Sequence, residues 1–208
     1  MNTRNLLLEI GTEEIPAAFI SGALDDLARL AREYLDREHL IYEDVSTIGT
    51  PRRLVLFVKN LPDRQPDREK IITGPPAKVA FSSDGKPTKA GEGFAHSHGV
   101  RVDDLQVEDT EKGLYIVLRR IVPGRETVEL LSELLPRVIV AIPFPKTMRW
   151  GTEELRFARP IRWLVALYGE DVVPFSLAGV ETGSESRGHR FMAPEAIRVP
   201  SNPEGYVK

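Results

Sequence analysis

The sequence predicts an α+β fold with mixed or antiparallel sheets and a long N-terminal amphipathic helix. Three observations carry this. A run of about 20 residues near the N-terminus repeats apolar side chains at helical spacing. Strands and helices follow one another irregularly, not as the regular alternation of a doubly wound sheet. The last third reads mostly as short strands.

Leu6–Ile10 is a short apolar run ended by Gly11 and is predicted as a strand. Pro16 stands where a helix can start, because an N1 proline loses no helical hydrogen bond. Phe19, Ile20, Ala23, Leu24, Leu27, Leu30, Ala31, Tyr34 and Leu35 then form one stripe, with Asp25, Asp26, Arg29, Arg32, Glu33 and Asp36 between them. Val45–Ile48 and Leu54–Val58 are predicted strands around the Gly49-Thr50-Pro51 turn. Leu61–Lys70, rich in charge and proline, reads as a linker or exposed edge. Gly74-Pro75-Pro76 reads as a rigid turn after Ile71-Ile72, and Ser82–Pro87 as another turn. Thr88 is a candidate cap for a short helix running to His98.

Leu105–Glu108 and Leu114–Val122 form a predicted hairpin around Glu111-Lys112-Gly113. Glu126–Leu135 is a predicted helix that Pro136 kinks or ends, with Val138–Ile142 ambiguous between helix and strand. Ile161–Tyr168, Val172–Leu177 and a short piece near Arg190–Met192 read as strands. The expected organisation is an N-terminal α+β subdomain over 1–70 and a strand-rich α+β domain over 71–208.

Composition limits the chemistry. The 208 residues contain no cysteine, which excludes disulfides, a thiol nucleophile, thiolate zinc sites and iron–sulfur clusters. The net charge of −3 argues against a globally basic nucleic-acid binder but leaves room for a local patch. The basic excess lies in residues 136–208. The cleanest uncharged apolar runs, Val138–Pro145 and Trp163–Gly169, are far short of the roughly 20 residues that cross a bilayer. The N-terminal Leu6-Leu7-Leu8 is too short for a signal peptide, so the expectation is a cytoplasmic protein.

The densest candidate site runs from Lys146 to Trp163. Lys146, Arg149, Arg156, Arg159 and Arg162 alternate there with Trp150, Phe157 and Trp163, against only Glu153 and Glu154. Arginine forks suit phosphate, and neighbouring aromatics suit unpaired bases, so one reading is an RNA or phosphate surface. The other is a strand pair with solvated arginines and core tryptophans. Arg187-Gly188-His189-Arg190-Phe191 is a second basic element, whose glycine permits close backbone approach and whose histidine, between two arginines, is favoured in its neutral form. Thr50-Pro51-Arg52-Arg53 places two arginines on opposite faces of a strand start, one toward a ligand and the other toward a buried ion pair.

Glu9, Glu13 and Glu14 surround the first turn. They read either as an acid–base or cation-binding set or as acids that complement a helix start. His96 and His98 diverge on a helix, with no third metal ligand nearby. Gly91-Glu92-Gly93-Phe94-Ala95-His96 misses a dinucleotide fingerprint, and there is no Walker A motif and no G-x-S-x-G elbow. No catalytic residue and no metal site is therefore predicted.

Taken in order, these landmarks resemble the β subunit of the bacterial two-subunit glycyl-tRNA synthetase. The resemblance rests on Leu7-Leu8-Glu9-Ile10-Gly11-Thr12-Glu13-Glu14-Ile15-Pro16, Thr50-Pro51-Arg52-Arg53-Leu54, Gly74-Pro75, Gly85-Lys86-Pro87-Thr88-Lys89-Ala90 and Gly93-Phe94. It continues through Pro145-Lys146-Thr147-Met148-Arg149-Trp150-Gly151, Arg159-Pro160 and Arg187-Gly188-His189-Arg190-Phe191. Thr147 stands where the family pattern has serine. Family members are much longer, so the resemblance implies an N-terminal fragment.

It further implies an aminoacyl-tRNA synthetase assembled as a heterotetramer. Glycine and ATP, with Mg, are then handled on the α subunit, and this chain carries no cofactor of its own. The implied partners are that α subunit and tRNA(Gly), with no membrane and no DNA. The implied tRNA or phosphate contacts are Arg52, Arg53, Lys146, Arg149, Arg159, Arg162, Arg187, His189 and Arg190. Part of the chain also resembles the B3/B4 region of the phenylalanyl-tRNA synthetase β subunit. Two other readings follow: a hydrolytic editing domain acting on mischarged tRNA, with Lys146, Arg149 and His189 as its polar set, or a purely structural subunit-contact module.

Overall fold

The computed structural model describes residues 2–150, 154–188, 195–200 and 205–206. The expected boundary at residue 70/71 is not where the compact units divide. One unit comprises 1–66 and 125–208, and the other 67–124. The second unit is an insertion between two halves of the first, which a linear reading cannot see.

The larger unit is built on a mixed sheet. Its strands are β1 (Thr3–Thr12), β2 (Asp44–Thr50), β3 (Arg53–Pro62), β7 (Ile161–Tyr168), β8 (Asp171–Val172), β9 (Ser176–Leu177) and β10 (Val180–Gly183). The order is β2-β3-β1-β7-β10-β9, with β8 on β7. Only the β10–β7 pairing is parallel among these. β1 is central and runs past the expected end at Ile10 through Gly11 to Thr12.

One face of this sheet presents Leu6, Leu8, Ile10, Leu54, Leu56 and Val58 to a core completed by α1 (Ala17–Arg37) and α4 (Thr127–Ala141). From α1 come the buried Ala23, Leu27, Leu30, Ala31 and Leu35 at helical spacing. α4 continues past Pro136 to Ala141, so the proline does not stop it, and the ambiguous segment from Val138 is helical as far as Ala141. Leu134, Leu135, Val138 and Ile139 are all buried on its stripe. Continuing the helix buries two more branched side chains at roughly 1.5–3 kcal/mol each, enough to offset the ~3 kcal/mol of an interior proline.

The smaller unit holds β4 (Arg68–Pro76), β5 (Gln106–Thr110) and β6 (Gly113–Val122) in the order β4-β6-β5, with α2 (Ala77–Ala80) and α3 (Lys89–Ser97). The expected rigid turn at Gly74–Pro76 is instead the end of β4. β4 is an edge strand, where a proline interrupts no ladder, and the register shifts between Thr73 and Pro76. Thr88 caps α3, its Oγ accepting from the Ala90 and Gly91 amides. Gly91 is required there because a Cβ would lie 2.5 Å from the Ala80 carbonyl oxygen.

In the last third the expected strand at 172–177 breaks into β8 and β9, and a further hairpin forms from β11 (Glu185–Arg187) and β12 (Ala196–Arg198). The strand expected near Arg190–Met192 lies outside the described residues. Among the described residues no helix is long and apolar enough to cross a membrane.

Candidate nucleic-acid interface

The second face of the large sheet positions the site. Alternation along β1 sends Leu7, Glu9 and Gly11 to this side. The register sets Phe57 and Leu167 beside Leu7, Val55 and Val165 beside Glu9, and Arg53 and Trp163 beside Gly11. A Cβ on Gly11 would fall 1.9 Å from the Trp163 ring, so the glycine lets the indole lie across β1. From that position Trp163 Nε1 donates to Glu9 Oε1 at 2.6 Å.

Glu9 is wholly buried. Ser186 Oγ on β11 donates to it at 2.5 Å, and Tyr206 donates its hydroxyl to Oε2 at 2.5 Å. The Arg53 guanidinium stands 3.5 Å from Oε1. Arg53 also donates to Ser186 Oγ at 3.1 Å and to the Arg187 carbonyl at 2.6 Å. Burial, then the adjacent Glu9 charge, pushes the Tyr206 hydroxyl well above the ordinary tyrosine range. One carboxylate thus ties the β11–β12 hairpin and the 205–206 segment to the sheet.

This corrects the reading of Glu9, Glu13 and Glu14 as one cluster or as helix-start acids. Glu9 lies inside the sheet face, the first turn of α1 has no acid, and Glu13 pairs with Arg162 at 2.7 Å. The signal for Glu9 was a charge inside an otherwise apolar strand, two residues before a glycine on the same face. Among the described residues no group of three or more His, Asp or Glu side chains could hold a metal ion.

The structure gathers five of the sequence candidates where β1 ends and β3 and β7 begin. Arg53 is spent on Glu9, as just described. Arg52 precedes β3 in a turn, so strand alternation does not separate the two, and both guanidinia lie 5.7 Å from the Trp163 ring. Arg159 donates to the Glu14 and Ala158 carbonyls at 3.0 Å. Arg162 is held by Glu13 but also lines an open groove of about 770 Å³. Trp163, Glu181, Glu185 and Arg187 line the same groove, so its charge is mixed. Arg52 and Arg187 make no ion pair with any described residue.

Lys146 and Arg149 are exposed on the α4–β7 connection, where Met148 bridges to Phe157. His189 and Arg190 lie outside the described residues. Of the two readings of the aromatics near these arginines, base stacking or core packing, the structure bears on each ring separately. Phe157 is wholly buried, edge-on to Phe144 at 4.7 Å between centroids, and Trp163 is only 6% exposed. For them the core alternative holds. Trp150 packs partly buried against the main core.

A family model described as "Glycyl-tRNA synthetase beta subunit" matches residues 6–208. The chain is 52% identical over 197 residues to the glycine–tRNA ligase beta subunit of Trichlorobacter lovleyi, covering 95% of this chain and 29% of that protein. It is 52% identical over 196 residues to that of Syntrophotalea carbinolica, covering 94% and 28%. To that of Syntrophus aciditrophicus it is 48% identical over 205 residues, covering 99% and 30%. The chain therefore spans under a third of the length of these curated relatives.

Proposed function

The chain belongs to the glycyl-tRNA synthetase beta subunit family, and from that membership we propose that it is the N-terminal part of a glycine–tRNA ligase β subunit. In this reading it serves a cytoplasmic ligase by holding tRNA(Gly) and helping to assemble with an α subunit. Activation of glycine by ATP and Mg takes place on that α subunit. The supporting observation is the convergence of Arg52, Arg162 and Arg187 around Trp163, with Arg52 and Arg187 paired to no carboxylate among the described residues. Guanidinium groups held in this way are available to phosphate, and the contact of half-buried Arg53 with buried Glu9 links β3 to β1 beside them.

The test uses the complete ligase carrying Arg52→Ala and Arg187→Ala. The expected outcome is a tRNA KM raised about tenfold, from two lost solvent-exposed charge contacts of about 0.7 kcal/mol each, with kcat and subunit association unchanged. Lost association with unchanged tRNA affinity would replace the proposal with the structural-module reading. Deacylation of alanyl- or seryl-tRNA above background, abolished with Lys146 and Arg149, would replace it with the editing reading.

A further inference from the structure

The three-stranded sheet of the 67–124 unit carries arginines on both faces, and the two faces treat them differently. On one face Arg119 is bracketed by Glu69 at 2.8 Å and by Glu108. The register places all three on that face, because Glu69 lies opposite Ile121, Ile71 opposite Arg119, and Glu108 opposite Tyr115. These carboxylates raise the guanidinium's proton affinity further, and its charge is consumed inside the unit.

The other face of the same strand pair is the reverse. Lys70 lies directly opposite Arg120, and Arg68, two residues along β4, shares their side. All three are exposed, and none forms an ion pair with a described residue. Among the described residues Arg120 donates to the His98 carbonyl at 3.2 Å, at the end of α3, and to no carboxylate. Asp103 and Asp104, which follow α3, are already engaged by Arg101. Like charges directly opposite on a sheet are destabilising, so an uncompensated Lys–Arg pair flanked by a third cation costs the unit stability unless an anion meets it.

We infer that Arg68, Lys70 and Arg120 form a second RNA-backbone contact surface, separate from the arginines of the larger unit. Same-face residues on one strand are about 7 Å apart, comparable to the separation of successive phosphates along a nucleic-acid strand. The cluster has no aromatic for stacking and no carboxylate to read a base edge, so it contacts phosphate without reading sequence. The inference rests on the tRNA-binding reading above and adds a surface to it.

The experiment compares the complete ligase with its Arg68→Gln/Lys70→Gln/Arg120→Gln variant by tRNA affinity from low to moderate salt. A Lys78→Gln/Lys89→Gln/Lys112→Gln variant, which loses the same charge elsewhere on the unit, is the control. Three released phosphate contacts lower the slope of log affinity against log salt by about 2. The control keeps the original slope, and circular dichroism of all three proteins coincides. An unchanged slope in the first variant, with a reduced slope in the Arg52/Arg187 variant, overturns this surface and leaves the proposed function standing. Unchanged slopes in both sink the two together. Weakened subunit association at constant tRNA affinity also overturns it, in favour of an acidic protein partner.

Discussion

The two faces of the large sheet are held by opposite means. The helical face is mostly apolar: Leu6, Leu8, Ile10, Leu54, Leu56 and Val58 meet leucines of α1 and α4, and Tyr168, in the same core, donates its hydroxyl to the Leu61 carbonyl at 2.9 Å. The other face has a smaller apolar patch, of Leu7, Val55, Phe57, Trp163, Val165, Leu167 and Val199, with Glu9 inside it. An apolar face tolerates repacking, because its energy follows buried area. A buried carboxylate does not, since each of its oxygens must be matched by a donor at a fixed place. The first face supplies bulk stability. The second fixes which segments lie on the sheet, and it is the face beside which the candidate arginines converge.

The sharpest way to break this contrast is Glu9→Ala. It strands the Arg53 guanidinium and the Trp163 and Ser186 donors, and breaking one side of a buried charged network costs about 3–5 kcal/mol. In a Trp150→Phe background, the Trp163 fluorescence should shift to the red as the indole loses its anchor. Urea titration of the same protein measures the stability loss. A cycle with Arg53→Ala should show strong non-additivity, because the two share one interaction. Additive losses would mean that Glu9 and Arg53 act separately.

Leu8→Ala, on the neighbouring β1 position but the opposite face, is the counterpart. It removes a wholly buried side chain, for an expected loss of about 2–4 kcal/mol in urea titration. The Trp163 emission should keep its wavelength, because the indole sits across the sheet from the cavity. A red shift of equal size would dissolve the distinction between the faces.

What could be read in the sequence tracks the range of each interaction. The stripe from Phe19 to Leu35, the Thr88 cap and the Gly113 hairpin depend on residues a few positions apart, so their patterns are visible along the chain. The second face depends on contacts across 154 residues to Trp163, 177 to Ser186 and 197 to Tyr206. No local pattern encodes them, and along the chain Glu9 is one of three acids near a helix start. The continuation of α4 past Pro136 and the extended backbone at Gly74–Pro76 are hidden in the sequence for a related reason. Burial on α4 and an edge position on β4 outweigh a local breaker, and both are properties of the assembled fold. Among the candidate arginines, residue type and rough clustering were legible. Which of them the protein spends on its own carbonyls and carboxylates was not: Arg53, Arg159 and Arg162 are engaged, Arg52 and Arg187 form no ion pair among the described residues, and the cations of β4 and β6 form no local pattern because their strands face each other only after folding.

The smallest expected effect is also the most specific. Tyr206→Phe keeps the edge contact with Phe57, whose ring centroid is 5.5 Å away, and removes only the hydroxyl that donates to Glu9. A hydrogen bond to a charged group is worth about 1.5–3 kcal/mol, so the stability loss near neutral pH should be about 2 kcal/mol. The pH dependence identifies its source. The folded-state pKa of Tyr206 is raised above the unfolded value, so its contribution is complete below the unfolded pKa of about 10 and disappears as pH rises through the higher folded one. The wild-type and Tyr206→Phe stabilities should therefore run parallel from pH 7 to 9 and converge above about 10. Tyr168 has the same sign, its hydroxyl pushed up to about 12 chiefly by burial, but it is present in both proteins and cancels from the difference. Curves that stay parallel at high pH would mean that the hydroxyl's bond to Glu9 is not what anchors the 205–206 segment, and the second face would then be held by its apolar patch alone.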